Sequence, residues 1–224
     1  MAGLPEAIGA AAGLSALFNA AVTWFDYVYI ARNSGLQFES LLLKLDNSQL
    51  RLTRWGKAVG LSDDSSRLDE DQEKHARATF QLISNIFIKF KEVCHADRDE
   101  KGKTVTDEEE PFGPEWKSPM SKYLHDKMQS VVSNRRTKTP LIETAKFAIY
   151  KKNRLEDLVK EINEHIDNLY HVCPPEKEEQ ERLGKVEFDE LIHVLRTLQT
   201  AADRDTLLSS AVTNILNQQV RLGF

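Results

Sequence analysis

The sequence predicts an all-α protein, a single irregular bundle of about six to eight helices. Three observations carry that expectation. Apolar residues recur at three- and four-residue steps in almost every segment. No alternating run bounded by turn residues interrupts them. Only ten glycines and seven prolines occur in 224 residues, well below the roughly 12% usual for the two together. A chain so poor in turn-formers favours long helices.

The apolar start is expected to be helical over about residues 6–31, with Asn33-Ser34-Gly35 interrupting it. The next helix carries Phe38, Leu41, Leu42, Leu45, Leu52, Trp55 and Val59 on one stripe, and Gly60 suits its C-terminal cap. A polar loop is expected between Leu61 and Lys74. A third helix then places Phe80, Ile83, Phe87, Phe90 and Cys94 on one face. Periodicity vanishes over about residues 97–117, where Asp107-Glu108-Glu109-Glu110-Pro111 reads as a mobile acidic loop.

Beyond the loop, Ser118-Pro119 and Thr139-Pro140 each set a capping hydroxyl before a proline at the first helical position. Asn153-x-x-Glu156 resembles a capping box and is expected to open a helix with Leu155, Leu158, Val159, Ile162, Ile166 and Leu169 inward. Cys173-Pro174-Pro175 ends that helix, because neither proline can donate to the ladder. The last helix is expected from near Val186, through Phe188, Leu191, Ile192, Leu195 and Leu198, to Leu207 and Ile215. One domain over residues 1–222 is expected. The helices on either side of the acidic loop each expose an apolar stripe that needs a partner.

Composition narrows the function. A hydrophobic share of 41% is ordinary for a globular chain. A net charge of −5 gives no reason to expect nucleic-acid binding over the whole surface. Cys94 and Cys173 stand in no metal or redox spacing and read as small buried thiols. The first basic residue is Arg32, so the N-terminus lacks the positive region of a secretory signal. No Asn-x-Ser/Thr acceptor occurs either, and a cytoplasmic address is expected. His165, His171 and Cys173 lie close together, but a six-residue step turns a helix by about 600° and separates the imidazoles. No metal site is expected. Nucleotide loops, nucleophile elbows and zinc motifs are also missing from the sequence, so neither a cofactor nor an enzymatic activity is expected.

Two features stand out. Residues 7–25 contain no charged side chain. As a helix they span about 28 Å, close to the ~30 Å of a bilayer's hydrocarbon. Gly9-Ala-Ala-Ala-Gly13 supplies a small-residue face and Trp24 an interfacial aromatic. A buried core helix, a membrane-active segment and a protein-interaction helix all fit this pattern. The second feature is basic. Between residues 135 and 154 lie Arg135, Arg136, Lys138, Lys146, Lys151, Lys152 and Arg154, opposed only by Glu143. Such a patch suits anionic lipid or phosphate, and equally an ordinary solvated helix pair.

Several stretches resemble the HeLo domain of fungal heterokaryon-incompatibility and cell-death proteins. They are Phe25-Asp26-Tyr27-Val28, Arg51-Leu52-Thr53-Arg54-Trp55-Gly56-Lys57-Ala58-Val59, Thr144-Ala145-Lys146-Phe147-Ala148-Ile149-Tyr150 and Leu155-Glu156-Asp157-Leu158-Val159. Their order and spacing fit nearly the whole chain, least well between residues 97 and 117. The resemblance implies an all-α bundle that is not an enzyme. In toxic members a C-terminal amyloid-forming segment receives a fold template and refolds the bundle, and the apolar first helix is expelled into the plasma membrane. Other members are inactive in killing, or inhibit prion propagation instead.

Carried onto this chain, the membrane-active helix is Ala7, Ile8, Gly9, Gly13, Leu14, Leu17, Phe18, Val22, Trp24 and Phe25. A lipid-headgroup patch would comprise Arg135, Arg136, Lys138, Lys151, Lys152 and Arg154. The partners implied are a second copy, membrane lipid on activation, and an amyloid-signalling or HeLo-containing protein. The alternative is a soluble helical interaction module, homotypic or regulatory, without membrane activity. No Asn/Gly/Val-rich amyloid repeat precedes Leu222-Gly223-Phe224. Either this is an excised domain or this member lacks that trigger.

Overall fold

The protein is described by a computed structural model over residues 13–30, 36–63, 65–100, 116, 118–136, 147–149, 151–201, 210 and 213. The fold is all-α, with six helices among those residues: α1 Leu14–Trp24, α2 Leu36–Ala58, α3 Glu70–Glu100, α4 Pro119–Ser133, α5 Lys152–Val172 and α6 Lys177–Ala201. Two compact units divide the chain, Met1–Glu176 and Lys177–Phe224. That boundary follows Pro174-Pro175 and does not fall at the acidic loop.

In the first unit α1 packs on α3, α2 packs on α4 and α5, and α3 packs on α5. The stripes read from the sequence form this core. Phe18, Leu52, Trp55, Phe80, Ile83, Phe87, Leu155, Leu158 and Ile162 are all buried. Phe80 is the hub, its ring 5.6 Å from that of Phe18 and 5.9 Å from that of Trp55. Gly60 ends the turn after α2 at φ +85°, and a Cβ there would lie 2.0 Å from the Ser65 carbonyl oxygen. Ser118 caps α4 as expected, its Oγ accepting from the Ser121 amide with Pro119 at the first helical position.

Several boundaries differ from the sequence reading. The first helix does not run to residue 31. It gives way at Phe25 to a 3-10 turn, Phe25–Tyr27, and then to a strand, β1 Val28–Ile30. This strand pairs in parallel with β2, Phe147–Ile149, matching Val28 to Phe147 and Ile30 to Ile149. Three-residue apolar runs are too short for periodicity to tell strand from helix. Aromatic and β-branched residues favour the strand here.

The polar loop after Leu61 is shorter than expected, because α3 starts at Glu70. Asp69 accepts from the Gln72 amide while Gln72 accepts from the Asp69 amide, a capping box with Asp and Gln in the two roles. At its other end α3 reaches Glu100, so the first residues assigned to the acidic loop are helical. Residues 101–115 and the helix expected after Thr139 lie outside the described residues. Asn153 is not the cap of α5. Lys151 holds that position, and Asn153 accepts only from the adjacent Arg154 amide. Finally, α6 begins at Lys177 rather than near Val186. Glu178 and Glu179 in its first turn complement the helix dipole, so a polar start is sufficient.

Candidate functional site: the seat of the first helix

Within α1, Leu14, Leu17, Phe18, Ala21, Val22, Thr23 and Trp24 are buried. Phe25 follows them into the core. Gly13 and Ala16 are exposed, and Ser15, Asn19 and Ala20 are partly exposed. The outward face therefore carries no charged group. An ordinary amphipathic helix on a soluble protein presents charges to water. Ala7, Ile8 and Gly9 lie outside the described residues, and no helix among those described is long and apolar enough to cross a membrane.

Two kinds of contact seat this helix. Packing is the larger. Trp24 stacks on Phe87 at 6.1 Å, and Phe25 meets Phe87 edge-on at 4.9 Å. Phe18 lies against Gly56 of α2, where any Cβ would fall 2.2 Å from the ring's Cζ. Burial of large apolar side chains stabilises by about 1.5–3 kcal/mol each. The six along Leu14, Leu17, Phe18, Val22, Trp24 and Phe25 thus hold α1 by on the order of 10 kcal/mol against water.

The second contact is polar and lies at the C-terminal end of α1. Gln49, buried on α2, donates to the Val22 carbonyl at 3.1 Å and to Asp26 Oδ1 at 3.0 Å. Arg136 pairs with the other Asp26 oxygen at 2.5 Å, both side chains mostly buried at 17% and 12% exposure. Gln129 of α4 donates to Gln49 Oε1 and to Asp46 Oδ1, each at 2.9 Å. His125 Nδ1 meets Asp46 Oδ2 at 2.8 Å. Burial opposes the charged imidazole of His125. Its hydrogen bond and charge attraction to Asp46 outweigh that, and its pKa stands above the usual histidine value.

This array was missed in the sequence, although a signal existed. The apolar stripe of α2 breaks between Leu45 and Leu52, and Asp46 and Gln49 occupy the inward positions there. Polar residues on a core stripe need partners. His125 and Gln129, four apart on α4, supply them. With Asp26 removed, Arg136 would stay partly buried without its carboxylate. Asp26→Ala is therefore expected to cost about 2–3 kcal/mol, and Asp26→Asn somewhat less, as read from urea midpoints.

The basic patch does not survive as one surface. Arg135 is buried and Arg136 faces Asp26, so neither projects toward lipid. Both follow directly on the C-terminal cap of α4 at Asn134. Lys138 lies outside the described residues. Lys152 is exposed and paired with Glu156 at 3.0 Å, while Lys151 and Arg154 are half-buried. Among the described residues no group of three metal-ligating side chains occurs.

The motif from Arg51 to Val59 has a physical reading. Arg51 donates to Asn163 and pairs with Asp167 on α5, and its carbonyl accepts from the Tyr170 hydroxyl at 2.9 Å. Trp55 Nε1 donates to the Cys173 carbonyl at 2.9 Å, and Gly56 seats Phe18. The stretch of α2 from Arg51 to Gly56 thus holds α5 with one side and α1 with the other.

Comparison with known proteins fits this geometry. The HeLo family model, described as prion-inhibition and propagation, matches residues 6–207. Heterokaryon incompatibility protein S of Podospora anserina is 26% identical over 213 residues, which cover 92% of this chain and 72% of that protein. Heterokaryon incompatibility protein s of the same fungus is 27% identical over 194 residues, covering 84% and 66%. Among solved structures, the HET-s N-terminal domain superposes with a TM-score of 0.68 at 27% identity, over 92% of this chain and 98% of that one. A doubly substituted form of that domain gives 0.67.

Proposed function

The chain belongs to the HeLo family, and from that premise we propose that it is a conditional membrane-inserting module whose output element is the uncharged stretch of residues 7–25. The observation that carries this reading is the outward face of α1. It is built from Gly13, Ser15, Ala16, Asn19 and Ala20, with no charge to desolvate on entering lipid.

In water the inward face keeps α1 seated, because leaving exposes all six large apolar side chains. In hydrocarbon that cost disappears, since lipid tails are as apolar as the core. The choice between core and bilayer then falls to the polar contacts and to the refolding of the rest. A trigger supplied by a partner or by a C-terminal segment would tip it. The protein is proposed to be cytoplasmic at rest and at the plasma membrane when active, with no enzymatic step and no cofactor. Its proposed partners are a second copy, membrane lipid and an amyloid-signalling or HeLo-containing protein. A closer likeness to the loss-of-pathogenicity protein B of a plant-pathogenic fungus belongs to the same proposal.

Dye release from anionic vesicles tests this function. Protein oligomerised through a fused C-terminal self-assembling segment is expected to release the dye. Leu17→Lys is expected to reduce release at least tenfold, because a lysine at a helix centre raises insertion cost by about 2.5–3.5 kcal/mol. Silent vesicles under every trigger, from a protein that never floats with liposomes, would leave the soluble interaction module as the function.

A further inference from the structure

The polar array beneath α1 has an order that packing alone does not require. Each Gln129 N–H is committed, one to Asp46 and one to Gln49 Oε1. Each Gln49 N–H is committed as well, one to the Val22 carbonyl and one to Asp26. The donors therefore run one way, from α4 through α2 to the end of α1. Two carboxylates, Asp46 and Asp26, terminate it. Arg136 answers Asp26 with a permanent charge, whereas His125 answers Asp46 with a charge that depends on pH.

We propose that His125, Asp46, Gln129, Gln49, Asp26 and Arg136 form a proton-sensitive latch on the first helix, closed while His125 is protonated and loosened when it is not. The proposal rests on α1 being the element that moves, and adds the regulation of that movement.

Asp46 is the member most in need of a cation, its side chain only 8% exposed. Ionised Asp46 makes this hydrogen bond charge-assisted in either state, and protonated His125 adds a full positive charge against the carboxylate. After deprotonation the imidazole still donates, but Asp46 is left with neutral donors alone. Gln129 is then drawn more strongly to Asp46, at the expense of its bond to Gln49. Gln49 in turn is the residue that grips Val22. The other charges near His125 are Lys122 and Asp126 of its own helix, paired with each other at 2.7 Å, while Trp116 covers the ring at 5.0 Å. Asp46 is thus the dominant charge it meets.

The direction in pH follows. The folded protein holds the proton on His125 more tightly than the unfolded chain does. Its contribution is complete below the ordinary histidine value of about 6.5 and is lost as pH rises through the raised folded value. The latch tightens in acid and loosens toward alkaline pH.

Hydrogen exchange of the full chain without membranes tests this, with protection factors corrected for intrinsic rates from about pH 5.5 to about pH 8.5. The α1 amides are expected to lose protection severalfold across that range, while those of Ile83 and Ile162 hold theirs. His125→Gln and, independently, the isosteric Asp46→Asn are each expected to flatten the dependence. Two variants keep the test alive if one fails to fold. A pH-independent α1 in the wild-type protein, or the same slope in both variants, overturns the latch. Dye release at the same pH values separates the two ideas. PH-dependent exchange with silent vesicles keeps the latch and removes the membrane reading. Leaking vesicles with flat exchange do the reverse.

Discussion

Gly56→Ala is expected to destabilise the protein by about 2 kcal/mol, lowering Tm by roughly 4–8 °C for a chain of this size. The added Cβ would stand 2.2 Å from Phe18 Cζ and 2.4 Å from Cε2. A flexible surface side chain would swing away. Phe18 is fully buried with Phe80 against its ring, so the ring and α1 must move together. Alanine's better helix propensity returns up to about 1 kcal/mol, less than the expected cost of overpacking. The damage is expected to concentrate on α1, whose amides should exchange faster than those of α5. Phe18→Leu in the same molecule is expected to recover part of the loss, a coupling of about 1 kcal/mol in a double-mutant cycle. Strict additivity would mean that Phe18 does not rest on Gly56.

Trp55→Ala is expected to be costlier still, about 4–5 kcal/mol, and to act on the whole first unit. Deleting a fully buried indole leaves a cavity beside Phe80, and such truncations cost about 3–5 kcal/mol. The Cys173 carbonyl also loses its donor. Trp55→Phe keeps most of the volume but not the N–H, and is expected to cost about 1–3 kcal/mol. The comparison, by urea midpoints, separates packing from hydrogen bonding. Equal losses in the two variants would place the whole effect in the hydrogen bond. Unlike Gly56→Ala, this change should speed exchange in α1 and α5 alike, since Trp55 packs on Phe80, which itself meets Phe18 of α1, and holds the Cys173 carbonyl just past α5.

The helices were legible in the sequence wherever an apolar stripe was long. The stripes of α3 and α5 are buried throughout and that of α2 nearly so, Phe38 being half-buried, because a 3.6-residue repeat sustained over several turns admits little else. What failed to show were features that depend on a distant partner. Val28–Ile30 becomes a strand only because Phe147–Ile149 lies beside it. Arg135 and Arg136 read as surface charge until Asp26 is known to face Arg136. The start of α6 is hidden in the sequence because its first turns are polar and carry no stripe. For the candidate site, the apolar face of α1 was visible, and the polar array holding its end was not. Asp46 and Gln49 announced themselves only as gaps in the stripe of α2, and a gap does not name its partner.

The most direct measurement of where α1 goes uses Ala16, which faces water in the folded protein. An environment-sensitive fluorophore on Ala16→Cys in a Cys94→Ala, Cys173→Ala background should report water at rest, with little disturbance to the seat. On triggered addition to anionic vesicles, its emission is expected to shift to that of hydrocarbon and to be quenched by lipids labelled in the acyl chain. A label that stays in water while the vesicles leak would contradict the release of the first helix into the membrane.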